Sequence, residues 1–65
     1  MMDRALEIVR DRINEKQAQL AHAVSNGTAK DYTEYRAICG EIRGLSIAEG
    51  FLLDLADQME RNDDD

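Results

Sequence analysis

The side chains that could carry out chemistry are few and lie far apart along the chain. The 65 residues include one histidine, His22, and one cysteine, Cys39. Nucleophilic catalysis needs a Ser or Cys near a His and an orienting third group, and no such set occurs at a plausible spacing. A structural metal site needs about four ligands, so this pair indicates no metal. We expect His22 to be solvated and Cys39 to be buried as a small apolar residue.

Phosphate-binding and acid–base motifs are also missing. Gly40 and Gly44 lie within one helical segment, so they form no loop of the P-loop or dinucleotide-binding type. Glu7, Asp11 and Glu15 are i,i+4 neighbours along one helix surface and do not face each other across a cleft. A chain this short cannot enclose a substrate pocket of the usual size. The sequence therefore predicts a protein that is not an enzyme and uses no cofactor and no metal.

The charge is distributed unevenly. The net charge is −6, and residues 1–45 contain seven acids and seven bases, so the whole excess lies in residues 46–65. Direct nucleic-acid binding needs a basic surface, and the small aromatic–basic group of Tyr32, Tyr35 and Arg36 does not supply one. We expect no direct nucleic-acid partner and Tyr35 packed over the turn. The acidic end either keeps the chain in solution or binds a basic partner surface.

Two features bear on the compartment. No segment approaches the roughly 18 consecutive apolar residues of a membrane span, so no membrane partner is expected. The start of the sequence, Met1 to Arg4, has no apolar region of a signal peptide. With a single unpaired thiol, synthesis in the cytoplasm is the expectation.

The sequence predicts an all-α fold, an antiparallel two-helix hairpin. Proline is absent, and good helix formers dominate. Asn26 and Gly27 can adopt the left-handed conformation that ends a helix, and Asp31 with Glu34 resembles a capping box that begins another. The predicted helices cover about residues 3–25 and 31–61 of a single domain, 1–65. Residues 62–65 are predicted to be an acidic tail, disordered or bound to a partner.

Apolar residues recur at the spacing of a narrow antiparallel coiled-coil seam. Facing residues in this hairpin have numbers that add to about 58, which sets Glu49 opposite Val9 and Met2 beside Ala56. Glu49 is expected to reach the edge or pair with Arg10 or Arg12. The predicted seam residues are Leu6, Val9, Ile13, Leu20, Val24, Tyr35, Ile38, Ile42, Leu45 and Leu52.

The second helix carries a further apolar stripe, on the side away from the seam. At about 100° per residue, the residues Gly40, Gly44, Ile47, Phe51 and Leu55 share that side. A 65-residue chain buries only about 60% of its unfolded surface, and one cysteine forms no internal disulfide, so a partner must complete the core. We expect these five residues to be a partner-binding site. If the hairpin instead rolls so that the first helix covers the glycines, the nominal seam is the free face.

Residues 31–55, about the C-terminal half, resemble a type of small acidic helical-hairpin protein encoded among the head and neck genes of tailed bacteriophages. The matching positions are Tyr35, Arg36, Gly40, Ile42, Gly44 and Leu45, followed by Leu52, Leu53 and Leu55. The resemblance implies a minor structural protein of the virion, attached to capsid, portal or neck subunits in symmetric copies. It implies synthesis in the host cytoplasm and no catalytic residues.

Two other classes of protein are compatible with these features. A dimeric regulatory protein would pair two hairpins through the glycine-containing face into a four-helix bundle. An acidic inhibitor would block a basic protein groove by mimicking nucleic acid. The inhibitor ranks third, because its carboxylates should spread along a face, whereas here they gather at one end.

Overall fold

The fold is a helical hairpin, as the sequence predicted. A computed structural model describes residues 3–27 and 29–63, without the side chains of residues 62 and 63. Helix α1 spans Arg4–Ser25 and helix α2 spans Tyr32–Asp63, and the two pack against each other. The described residues contain no strand. Helix α2 has 32 residues and α1 has 22, so α2 is longer by about 15 Å.

The helix boundaries agree with the predicted bounds to within two residues. Of the predicted tail, residues 62 and 63 continue the backbone of α2, while residues 64 and 65 lie outside the described residues. Met2, predicted beside Ala56, also lies outside them.

Side-chain caps and one glycine define where α1 begins and ends. The Asp3 carboxylate accepts a hydrogen bond from the Ala5 amide at 2.7 Å, which satisfies one of the unpaired amides of the first turn. At the other end, the Asn26 amide donates to the His22 carbonyl at 3.0 Å. Gly27 follows with a φ of 77°, a left-handed conformation that favours glycine, and it redirects the chain towards α2.

A reciprocal pair of side chains begins α2. Asp31 Oδ1 accepts from the Glu34 amide at 2.8 Å, and Glu34 Oε2 accepts from the Lys30 amide at 3.1 Å. The predicted capping interaction is therefore present, with the glutamate reaching one residue further back than the usual capping box requires.

Removing this cap should destabilise the hairpin measurably. We expect Asp31→Ala to cost about 1 kcal/mol, which lowers the Tm of a domain this small by about 4–8 °C. Thermal unfolding followed by far-ultraviolet circular dichroism measures the change. Asp31→Asn is the matched control, because asparagine caps a helix as well as aspartate does. Equal loss in both variants would show that the cap contributes nothing.

The two helices meet along a seam that leaves little fully buried. Ala56 is 8% exposed, and it is the one residue among the described part of the chain that counts as buried. Eight of the predicted seam residues are half-buried, namely Leu6, Ile13, Leu20, Val24, Ile38, Ile42, Leu45 and Leu52. A seam of half-buried side chains indicates that two helices alone do not complete a core.

Val9 and Tyr35 depart from the predicted seam, being 45% and 43% exposed. Six of the half-buried positions of α1, namely 6, 10, 13, 17, 20 and 24, alternate in steps of four and three, the regular spacing of coiled-coil contacts. That alternation selects Arg10, which is half-buried, and leaves Val9 at the edge. The sequence pattern favoured valine because it is apolar, whereas the geometry favours the position of the arginine.

Polar side chains occupy two layers of the seam. Gln17 Nε2 donates to Ser46 Oγ at 2.8 Å and lies 3.5 Å from the Ile42 carbonyl oxygen, and Ile42 is within one residue of the predicted facing position. Glu49 is half-buried but forms no ion pair with a described residue. Arg10, one of its two expected partners, pairs instead with Asp11 at 3.3 Å.

Candidate protein-binding face

The five predicted partner-binding residues lie together on the surface of α2, and we call this set the outer face: Gly40, Gly44, Ile47, Phe51 and Leu55. Helical geometry places them within an arc of about 80°, away from the seam. All five are exposed, and Phe51 is 69%, Ile47 51% and Leu55 46% accessible to solvent. An apolar stripe this exposed has no structural role within the hairpin itself.

Helix α1 does not cover the glycines of the outer face. A Cβ atom built on Gly40 or Gly44 would meet nothing within 4 Å apart from its chain neighbours and the nearby backbone of α2 itself. The alternative in which the hairpin rolls to cover them is therefore not the arrangement found. Glycine in an exposed helix interior costs about 1 kcal/mol relative to alanine, so these two positions destabilise α2 without any compensation inside the hairpin.

The chain exposes more surface than a compact protein of its mass. Its accessible surface is 5109 Å², whereas a monomer of 7.4 kDa is expected to expose about 4200 Å². The radius of gyration is 15.3 Å, against about 11 Å for a compact chain of this length. The excess of about 900 Å² is close to the roughly 800 Å² that one partner buries in a standard interface.

Charged side chains flank the outer face in two groups that the sequence reasoning missed. Arg36 and Arg43 flank its N-terminal half, and Asp54 and Asp57 flank its C-terminal half. Asp57 pairs with Arg61 at 2.9 Å, while Arg36, Arg43 and Asp54 form no ion pair with any described residue. The available sequence signal was the separation of opposite charges along one side of the same helix.

A shallow depression lies beside the N-terminal half of the outer face. Its volume is about 400 Å³, and its lining consists of Tyr32, Tyr35, Arg36, Cys39, Gly40 and Arg43. The Tyr32 and Tyr35 rings stack with centroids 6.3 Å apart. A hydrogen bond with the Cys39 side chain raises the pKa of Tyr35 above its usual value. All of its lining residues come from one helix, so the depression is open and does not enclose a ligand.

The two residues considered for catalysis or metal binding, His22 and Cys39, lie on different helices. Cys39 is exposed, which corrects the expectation that it would be buried. His22 is also exposed, and its backbone carbonyl accepts a bond from the Ser25 hydroxyl at 3.1 Å. Within residues 3–27 and 29–63, no three His, Cys, Asp or Glu side chains are grouped so that they could hold a metal ion. In the same part of the chain, neither helix combines the length and apolar character needed to cross a membrane.

The chain is thus a small all-α helical hairpin with an exposed apolar face on α2. No protein-family model matches the chain, and comparison with curated proteins and with solved structures yields no match.

Proposed function

We propose that this chain is a non-enzymatic structural protein that binds a protein partner through the outer face of α2. The observation that carries the proposal is the exposure of Ile47, Phe51 and Leu55 on the side of α2 that α1 leaves uncovered. Contiguous apolar surface of this kind marks sites of protein association. Burying a side chain such as phenylalanine or leucine contributes roughly 1.5–3 kcal/mol, which a hairpin with a half-buried seam needs.

The glycines support the same proposal. Gly40 and Gly44 present no side chain beside this apolar stripe, so the backbone of a partner can approach α2 closely there. The helix-destabilising effect of glycine is then offset by contacts that exist only in the complex. A partner thus accounts for both the exposed apolar side chains and the two glycines.

The finer part of the proposal is a role as a minor component of a tailed-phage virion, attached to capsid, portal or neck subunits in several symmetric copies. It rests on the resemblance of residues 31–55 to small phage head and neck proteins. The hairpin suits such a role because it is thin and elongated, with dimensions of 53 × 16 × 12 Å. A rod of that shape fits a groove between larger subunits.

The test of the binding face compares a leucine placed on the outer face with a leucine placed on α1. We expect Gly40→Leu to abolish partner binding, because the new side chain fills the space that the partner occupies. Ala18→Leu is the matched control, because Ala18 is exposed on α1, away from the outer face, and receives a side chain of the same size. Circular dichroism checks that both variants remain helical, and retained binding by Gly40→Leu would contradict the proposed face.

The test of the virion role uses tagged chains expressed in the native source. Intact particles are purified, and mass spectrometry identifies what remains bound to the chain. Wild type and Ala18→Leu should be recovered with particles and with their capsid, portal or neck subunits, whereas Gly40→Leu should be recovered alone. The absence of the wild-type chain from particles would overturn the virion role. It would not decide the binding face, which the comparison of Gly40→Leu with its control tests separately.

A further inference from the structure

We propose that the outer face of α2 binds a second copy of this chain, with the two α2 helices antiparallel about a two-fold axis near Ile47. The inference rests on the proposed function only in taking the outer face as the protein-binding face. It goes further in naming the occupant and its orientation. The result is a four-helix assembly with two α2 helices at the centre and two α1 helices outside.

The first reason is complementarity of size along the outer face. Its N-terminal half carries no side chains at Gly40 and Gly44, while its C-terminal half carries the large side chains of Phe51 and Leu55. A two-fold axis near Ile47 lays the glycine half of each copy against the Phe51 and Leu55 half of the other. In a parallel pair the glycines would face glycines and Phe51 would face Phe51, which leaves a gap at one end and crowding at the other.

The second reason is complementarity of charge. The antiparallel arrangement sets Arg36 and Arg43 of one copy near Asp54 and Asp57 of the other, and the symmetry of the pair creates each contact twice. Arg43 and Asp54 have no ion-pair partner among the described residues of their own chain. In a parallel pair this flank of one copy lies on the opposite side of the contact from the same flank of the other copy, so Arg43 would not reach Asp54 of the second copy.

The third reason is area. The surface in excess of a compact 7.4 kDa monomer is about 900 Å² per chain, and a standard interface buries about 800 Å² per partner. One helix–helix contact along α2 is long enough to supply this, since its 32 residues extend about 48 Å. A second copy bound along α2 can therefore bury the area of a standard interface.

Size-exclusion chromatography with light scattering on the purified chain tests the occupant. We expect a dimer, with a mass about twice the 7.4 kDa of one chain. Phe51→Asp should weaken dimerisation about 100-fold, as loss of a central aromatic contact does. Ile8→Asp is the matched control, because Ile8 is 42% exposed but lies on α1. A monomer across the whole concentration series, or a dimer that Phe51→Asp leaves intact, would overturn the inference.

Two charge reversals test the antiparallel orientation. R43E and D54R should each weaken the dimer at least about tenfold, because each sets like charges together at two symmetric positions. Mixing the two variants should restore a dimer, since each introduced carboxylate then faces an introduced guanidinium. Arg43 and Asp54 of one chain are about 16 Å apart along α2, so recovery cannot arise within a chain. Single reversals without effect, or a mixture that stays monomeric, would exclude this orientation.

These outcomes separate the inference from the proposed function. A wild-type chain that is monomeric in isolation but is captured by phage subunits through a face that Gly40→Leu blocks supports the proposed function and overturns the dimer. A dimer that depends on Phe51 and is absent from particles supports the dimer and overturns the virion role.

Discussion

Ala56→Asp is expected to unfold the hairpin. Ala56 is 8% exposed and lies on the seam side of α2, so a carboxylate there would lose most of its hydration without gaining a partner. An uncompensated buried charge costs about 3–5 kcal/mol. The whole free energy of unfolding expected for 65 residues is only about 3–10 kcal/mol, so this single change removes a large share of it.

Far-ultraviolet circular dichroism against temperature, at one fixed protein concentration, measures this effect. The wild type should show a cooperative thermal transition. Ala56→Asp should show little helix at 25 °C and no cooperative transition on heating. Ala18→Asp is the control, because Ala18 is an exposed residue of α1 and carries the same loss of helix propensity. If both variants lost the same amount of stability, the buried position of Ala56 would not be what matters.

The elements of this fold follow from local signals in the sequence. The absence of proline predicts long helices, Gly27 ends the first of them, and Asp31 with Glu34 begins the second. Each of these signals acts within a few residues, so it can be seen without knowing how the chain folds back on itself. The hairpin then follows, because a short connection between two amphipathic helices leaves them adjacent and antiparallel.

The seam was harder to predict because its position depends on a choice between neighbours. Val9 and Arg10 both fit a helical repeat that runs from Leu6 to Ile13, and the apolar residue was the natural choice. The structure leaves Val9 at the edge, since the half-buried series includes Gln17 and its regular alternation leads back to Arg10. A rule based on apolar residues alone cannot detect a seam that contains polar ones.

The outer face was predictable in position, and its flanking charges were not. Helical spacing alone places Gly40, Ile47 and Phe51 away from the seam, and the structure leaves them exposed there. Arg43 and Asp54 become candidates for binding only when two facts are known. The outer face is uncovered, and neither residue forms an ion pair with a described residue of its own chain. Charge patterning of this kind is recognised only once the tertiary structure shows which side of α2 is uncovered.

The polar layer of the seam leads to a second large effect, in the stabilising direction. Arg10 and Glu49 are half-buried at facing positions, yet Arg10 pairs with Asp11 and Glu49 forms no ion pair with a described residue. Both side chains therefore lose hydration without forming an ion pair with each other. We expect the double variant Arg10→Leu with Glu49→Leu to stabilise the hairpin by about 1–2 kcal/mol, which raises its Tm by roughly 5–15 °C.

A matched double variant on the exposed surface shows whether the gain comes from the seam. Arg12→Leu with Glu15→Leu makes the same replacements at exposed positions of α1, and it should change the stability by no more than about 0.5 kcal/mol. A fall in stability on replacing Arg10 and Glu49 would mean that the two charges hold the helices together. A rise confined to that pair would show that the seam keeps charged residues at a cost of hairpin stability.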